Sequence, residues 1–394
     1  MPVRTAALAL ALLAPCAAHA QDTVVVRAET APAWGLRPRL VEEVRFGTLD
    51  GDERYAFGRI GDLAVGDDGV IWVCDSQAKA IRRFSPEGEA LGTVGREGEG
   101  PGEFGDPGSV ERLGDGRMAT WDQRLFRVSF FRPDGTFERS FQLNTGVVIG
   151  APGVFVAGDD GILYVMTLDR ALGLPNPLMV WLRVTQDGAV RDSLASLPGE
   201  VEGPRAYPVR NVRMVSPRGY LVRGRTDRWA IWRPLPDGRV LRIERRHEPV
   251  RFGRAERAEA ERREEFQAVE MRGEKPASIP REKPVFRDLQ VDEEGRIWVR
   301  LHSEAIHVPQ TPGEEATAER ARAFFGGREP PPPQEWREPP VYDVVEDGGR
   351  YLGRVALPHW DARIAAARDR WVWVIETGAY GEEYVVRYRV EAGG

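Results

Sequence analysis

Asp75, Asp122, Thr167, Arg225, Leu301 and Glu376 share one position in this 394-residue chain: each stands six places past a recurring turn-and-strand signature. Three carboxylates and an arginine around one mouth could hold a cation or a polar ligand. The plainer reading makes Asp75 and Asp122 acceptors for backbone N–H groups of their own loops, a common task for aspartates at strand ends. Beyond residue 20 the histidines are His247, His302, His307 and His359. His302 and His307 could face each other across a loop, but no third ligand stands at a zinc-site spacing. No G-x-S-x-G elbow occurs, and Ser, His and Asp form no triad visible in the sequence. Cys74, inside an apolar strand, reads as packing and not as a nucleophile. The glycine- and acid-rich run "VGREGEGPGEFGDPG" at 94–108 lacks a Gly-Lys-Ser/Thr ending and opens no helix, so it is not a phosphate loop. These observations assign no catalytic residue and no metal ligand.

Composition narrows the class. Arg4, the apolar run Ala6–Leu13 and the Ala18-His19-Ala20 site read as a signal peptide over residues 1–20, which implies a periplasmic or secreted product. Pro15 beside Cys16 fits a lipidation site badly, and no later stretch is long and apolar enough to cross a membrane. Removing the signal leaves Cys74 alone, so no intramolecular disulfide can form and stability must come from burial. A hydrophobic content of 42% with eleven tryptophans suffices for a core, and a net charge of −6 argues against a nucleic-acid binder. A monomer is expected.

Residues 63–95 hold four short strands separated by acidic, glycine-bearing turns, the pattern of one β-propeller blade. The second-strand signature recurs from Gly69, Gly116, Gly161, Gly219, Gly295 and Arg370, with Trp72, Tyr164, Trp298 and Trp373 in its third place. A large flat side chain there suits packing between blades. Outer hairpin turns recur at Glu87-Gly88, Asp134-Gly135, Asp187-Gly188, Asp237-Gly238 and Asp347-Gly348, where glycine accommodates positive φ. The sixth unit lacks its outer strand, which Leu40–Gly47 is available to supply. Residues 21–394 are therefore expected to form one all-β, six-bladed propeller closed by an N-terminal strand. Thr23–Ala28 is either a short extra strand or a free arm. The run at 94–108 becomes the crossover from blade one to blade two, its glycines permitting close passage and Pro101 stiffening the path.

The stretch "IWVCDSQAKAIRRFSPEGEALGTVGREGEGPGEF" resembles the repeat and crossover of bacterial six-bladed propellers related to NHL repeats, and "KPVFRDLQVDEEGRIWVR" at 283–300 resembles that family's later blades. The resemblance covers most of the chain, is strongest in blades one and five and weak in blade three. It implies fold more than function, because such propellers include binding modules, scaffolds and a few metal enzymes. Gluconolactonase-like relatives hold calcium with Glu, Asn and Asp in the central tunnel, and Asn144, Asn176 and Asn211 fall in no copy of that pattern. Amidating lyases on NHL-type propellers use a histidine zinc site, for which this chain is poor in histidine.

Departures from the repeat favour the face opposite the Gly-bearing turns. They are residues 168–178 and 199–209 around blade three, 253–277 between blades four and five, and 308–340 inside blade five. The 253–277 insert reads as a charged helix with Phe266 and Val269 as its apolar contact. The 308–340 insert reads as a short helix with a stiff tetraproline return at 330–333. Long loops on a rigid scaffold are where binding usually resides. The expectation is a non-catalytic propeller, without cofactor, engaging a protein, peptide or glycan on this face. The competing reading is a metal-dependent hydrolase or lyase using the central pocket with calcium or zinc. If the two long inserts meet, Phe266, Phe324, Phe325 and Trp336 would pack as a lid. Arg320, Arg322 and Arg328 would then favour an acidic ligand.

Overall fold

The computed structural model describes residues 22–143, 155–169, 178–195, 201–204, 207–324 and 331–393. The expected signal peptide, Phe325, Arg328, Pro330 and most of the 168–178 insert lie outside the described residues. Blade one is the antiparallel meander Ile60–Val65, Ile71–Asp75, Ala80–Phe84 and Ala90–Val94. Five further sheets follow, with first full strands Pro107–Arg112, Phe155–Ala157, Val209–Val215, Phe286–Val291 and Arg363–Arg368; in blade four the short strand Val201–Glu202 pairs inside Val209–Val215. The chain is a six-bladed β-propeller. Second strands such as Ile71–Asp75 and Met118–Asp122 are buried throughout, because each blade face is covered by a neighbouring blade.

The signature aromatics sit at those interfaces. Trp72 packs in a cluster with Val110, Met118 and Phe131 of blade two, Tyr164 with Val215 of blade four, Trp298 with Ile364 of blade six, and Trp373 with Ile71 and Val73 of blade one. The outer hairpins are tight turns whose last residue is left-handed, Gly88, Gly135, Gly188 and Gly238 having φ of 88°, 92°, 90° and 84°. In blade five that residue is Gly349 (φ 93°) and not Gly348, because the turn closes from Gly349 N–H to the Glu346 carbonyl. Acid–Gly adjacency pointed one residue early there.

The crossover after blade one is structural, as its glycines suggested. Phe104 is buried against Phe131, and a Cβ on Gly95 would lie 2.3 Å from the Phe104 ring. The Arg127 guanidinium donates to the Glu99 and Glu103 carbonyls and pins the loop.

Closure is more extensive than expected. Strand β1 (Thr23–Arg27) adds in parallel outside Val240–Glu244 of blade four, which makes Thr23–Arg27 a strand and not a free arm. Ala33 and Trp34 then donate backbone N–H groups to Tyr351 and Leu352 of blade five. Strand β2 (Arg39–Phe46) pairs antiparallel with the last strand, Glu383–Glu391, to complete blade six. One N-terminal segment thus staples three blades.

Candidate functional site: the face that carries the inserts

The 253–277 insert forms α1 (Arg254–Glu265), which continues as a wider helical turn over Phe266–Glu270. Of its two expected apolar contacts Phe266 is half-buried but Val269 is 44% exposed, while Ala260 and Ala268 are buried. The helix is held mainly by carboxylates, since Glu256, Glu259 and Glu264 are all buried. A periodicity argument misses this because a glutamate counts as polar whether it faces water or a fixed donor.

Glu256 meets the Lys283 ammonium at 2.6 Å, accepts from the Tyr207 hydroxyl at 3.3 Å and accepts from the Gly253 N–H at 3.2 Å. Lys283, whose side chain is 0% exposed, also meets Glu338 at 3.1 Å and donates to the Ser303 carbonyl at 2.6 Å. Glu338 in turn lies 2.8 Å from His302 Nδ1. Burial alone would raise the Glu338 carboxyl. The His302 hydrogen bond, with the Lys283 and Arg287 charges, more than reverses this and holds it at about 2. Burial lowers His302 and favours its neutral form. Sequence spacing placed His302 opposite His307; the structure places it on Glu338 instead.

The 308–340 insert carries α2 (Pro312–Phe324), rooted by a two-residue hairpin of Ile306–His307 with Trp336–Arg337. Thr311 and Glu314 form a reciprocal cap at its start, and Glu314 also grips Arg337 through two bonds of 2.7 and 2.8 Å. The two inserts meet. The Glu259 carboxylate accepts from the Glu335 and Trp336 N–H groups at 2.9 and 3.2 Å, and Arg263 donates to the Pro332 carbonyl at 2.8 Å. Among the described side chains the junction is a carboxylate against backbone; the expected phenylalanine contact involves the Phe324 side chain and Phe325, which lie outside them. Trp336 lies against the His307 ring.

A cavity of ≈ 720 Å³ lies between these inserts and blades five and six, lined by Arg263, Arg287, Arg300, Arg337, Trp360 and Pro331–Pro333 among others. Arg320 donates to Thr317 and, like Arg322, is not part of this lining; both are exposed. The described arginines at the cavity are therefore not Arg320 or Arg322, and Arg328 lies outside the described residues. Arg287 and Arg300 stand in the blade-five strands themselves, and for Arg300 a lone arginine inside an apolar strand was the available signal.

The six equivalent positions are occupied separately. Asp75 accepts from the Gly58, Arg59 and Ala78 N–H groups and pairs with Arg82, and Asp122 accepts from Gly105, Asp106, Arg124 and Leu125. This is the loop-holding role. Glu376 bonds Tyr388 and Arg45 of β2, so it secures the closing strand. Arg225 pairs with Glu202 and Asp227 beside blade four. Thr167 and Leu301 are buried. Among the described residues, no three His, Cys, Asp or Glu side chains group as metal ligands.

The central channel opens on the other face as a cavity of ≈ 230 Å³ whose lining includes Asp62, Glu111, Arg112, Glu293 and Arg363. Burial raises Asp62 to about 6 and pushes Glu111 up too. A carboxyl raised on folding costs stability above its folded pKa, and the cost vanishes below its unfolded pKa, here 3.8. Asp62→Asn should therefore stabilise the protein by about 1–3 kcal/mol at pH 7–8. The gain should disappear near pH 4. Urea midpoints at the two pH values check this; equal gains at both would contradict it.

No protein-family model matches the chain, and no curated protein matches its sequence. Solved structures align with the chain. A member of the DUF4221 family from Bacteroides vulgatus aligns with a TM-score of 0.51 at 9% identity, covering 90% of this chain and 99% of the other. A Bacteroides fragilis protein whose name proposes export aligns at 0.49 and 9%, covering 94% and 100%. Virginiamycin B lyase from Staphylococcus aureus aligns at 0.37 and 11%, covering 82% and 78%. At 9% identity the likeness to the DUF4221 member concerns the fold alone.

Proposed function

We propose that this chain is an exported binding propeller that engages a protein, peptide or glycan at the face carrying the two inserts, without catalysing a reaction. The observation that carries the reading is the junction of both inserts beside a cavity of ≈ 720 Å³, on a rigid scaffold. The ionisable groups nearest the junction support it as well. Lys283, Glu256, Glu338 and His302 are engaged with one another, as parts of a built support. Export rests on Arg4, the Ala6–Leu13 run and the Ala18–Ala20 site, and descent from NHL-type repeats on the blade-one and blade-five stretches.

Hydrogen exchange and limited proteolysis during a screen of peptides and glycans test the binding reading. Joint protection of residues 254–270 and 308–324, deepened by one ligand, is the expected result. Rapid exchange through both, unchanged by every ligand, would reject it. Stoichiometric metal with an activity lost on chelation would replace it by the metal-dependent hydrolase or lyase. Intact mass after expression in an export-competent host should show a chain beginning near Gln21.

A further inference from the structure

We infer that the cavity between the inserts is an oxyanion site, taking a ligand that carries a carboxylate, sulfate or phosphate group on Arg287 and Arg300. The inference rests on the binding reading above and names the ligand chemistry of that same face. Four arginines line the cavity. Two have partners: Arg337 is gripped by Glu314 and lies 3.8 Å over the Trp360 ring, and Arg263 donates to Pro332. Arg287 and Arg300 have no hydrogen-bonding or ion-pair partner for their side chains among the described residues, and the Arg300 Nε is buried without one. Asp288, across the ladder from Arg300, forms no ion pair with it.

Two half-buried guanidinium groups without partners are unusual in a chain of net charge −6, where carboxylates outnumber cations. The carboxylates around the cavity are engaged elsewhere. Glu314 holds Arg337, Glu338 holds Lys283 and His302, and Asp361 accepts from the Thr377 N–H. The Arg287 charge acts on Glu338 without a hydrogen bond or ion pair between them, and the buried Arg300 Nε has no acceptor, so an oxyanion would add paired N–H donation that neither guanidinium now makes. The positions are also rigid. Arg287 stands at a register irregularity of the innermost blade-five strand, and Arg300 next to the end of the second strand, so both groups are set by the sheet and not by a mobile loop. The cavity volume falls within the range of small-ligand sites, roughly 300–1,000 Å³. Trp360 and the prolines give the bound molecule an apolar wall.

The test is calorimetric titration of the full chain at constant ionic strength with sulfate, phosphate and glucuronate, against chloride and neutral glucose. The three oxyanions separate a free inorganic ion from a carboxylate on a sugar body. Saturable binding of at least one oxyanion is expected, weakened about tenfold or more in Arg300→Gln and in Arg287→Gln. Arg320→Gln/Arg322→Gln should bind as the parent does. Arg300→Lys, which keeps the charge and the fold but loses the planar fork, should fall between. Responses equal to chloride, or a fully retained affinity in Arg287→Gln/Arg300→Gln, would overturn the inference. So would a double variant markedly less stable than the parent in chloride alone, since the arginines would then serve the fold. A neutral glycan or peptide that protects the inserts while no oxyanion binds would sink this inference and leave the binding reading standing.

Discussion

Replacing Lys283 by methionine is expected to destabilise the protein by about 3–5 kcal/mol, because removing one partner of a buried ion pair leaves an uncompensated charge. Here two carboxylates, Glu256 and Glu338, share the one ammonium, and both are buried. Methionine fills nearly the same volume, so the loss measures charge and not packing. α1 should come away first, since Glu256 also makes its N-terminal cap with Gly253. Protease cleavage within 254–270 should appear well below the global unfolding midpoint. Lys283→Met/Glu256→Gln should recover part of the loss by removing one of the stranded charges. A Lys283→Met protein as stable as the parent, with α1 still protected, would show that the cluster does not hold the insert. Acid should loosen the same latch. The Glu338 carboxyl is lowered on folding, so its contribution is complete above its ordinary value of 4.5 and is lost as pH falls towards about 2. His302, also lowered, begins to weaken the folded state as pH drops below 6.5.

Deleting residues 22–46 should abolish cooperative unfolding altogether. β2 pairs along the final strand from Arg39 opposite Glu391 to Phe46 opposite Val385, and without it that nine-residue strand becomes an open edge. An unpaired edge of that length invites association with another chain. The same deletion removes Trp34, 5% exposed and packed 6.0 Å from Trp298 at the interface of blades five and six. Trp34→Ala alone should cost about 3–5 kcal/mol, as large-to-small changes of buried aromatics do. Removing only 22–28 takes away an outer parallel strand and should leave the transition cooperative with a lower midpoint. Calorimetry with light scattering distinguishes the three variants. A monomeric, cooperatively unfolding protein after the longer deletion would refute the closure argument.

The blade count, the hairpins and the closing strand were legible because they rest on local rules. Positive φ at Gly69, Gly116, Gly161, Gly219 and Gly295 is required wherever it occurs, and the aromatic three places on packs between blades, so both leave marks at fixed spacing. The loop-holding role of Asp75 and Asp122 was legible for the same reason, since their donors lie within their own blade or its entering loop. The partners of charged side chains were not. Glu256, Glu259 and Glu264 look like the solvated face of a helix until blade five and the second insert come against them. Nothing near Lys283 in the sequence shows that it stands between Glu256 and Glu338, and nothing near Arg320 shows that it faces away from the cavity while Arg300 faces in. Charge pairing depends on distance in space and on exclusion of water, and in a ring of blades both are decided by which segments the closure brings together.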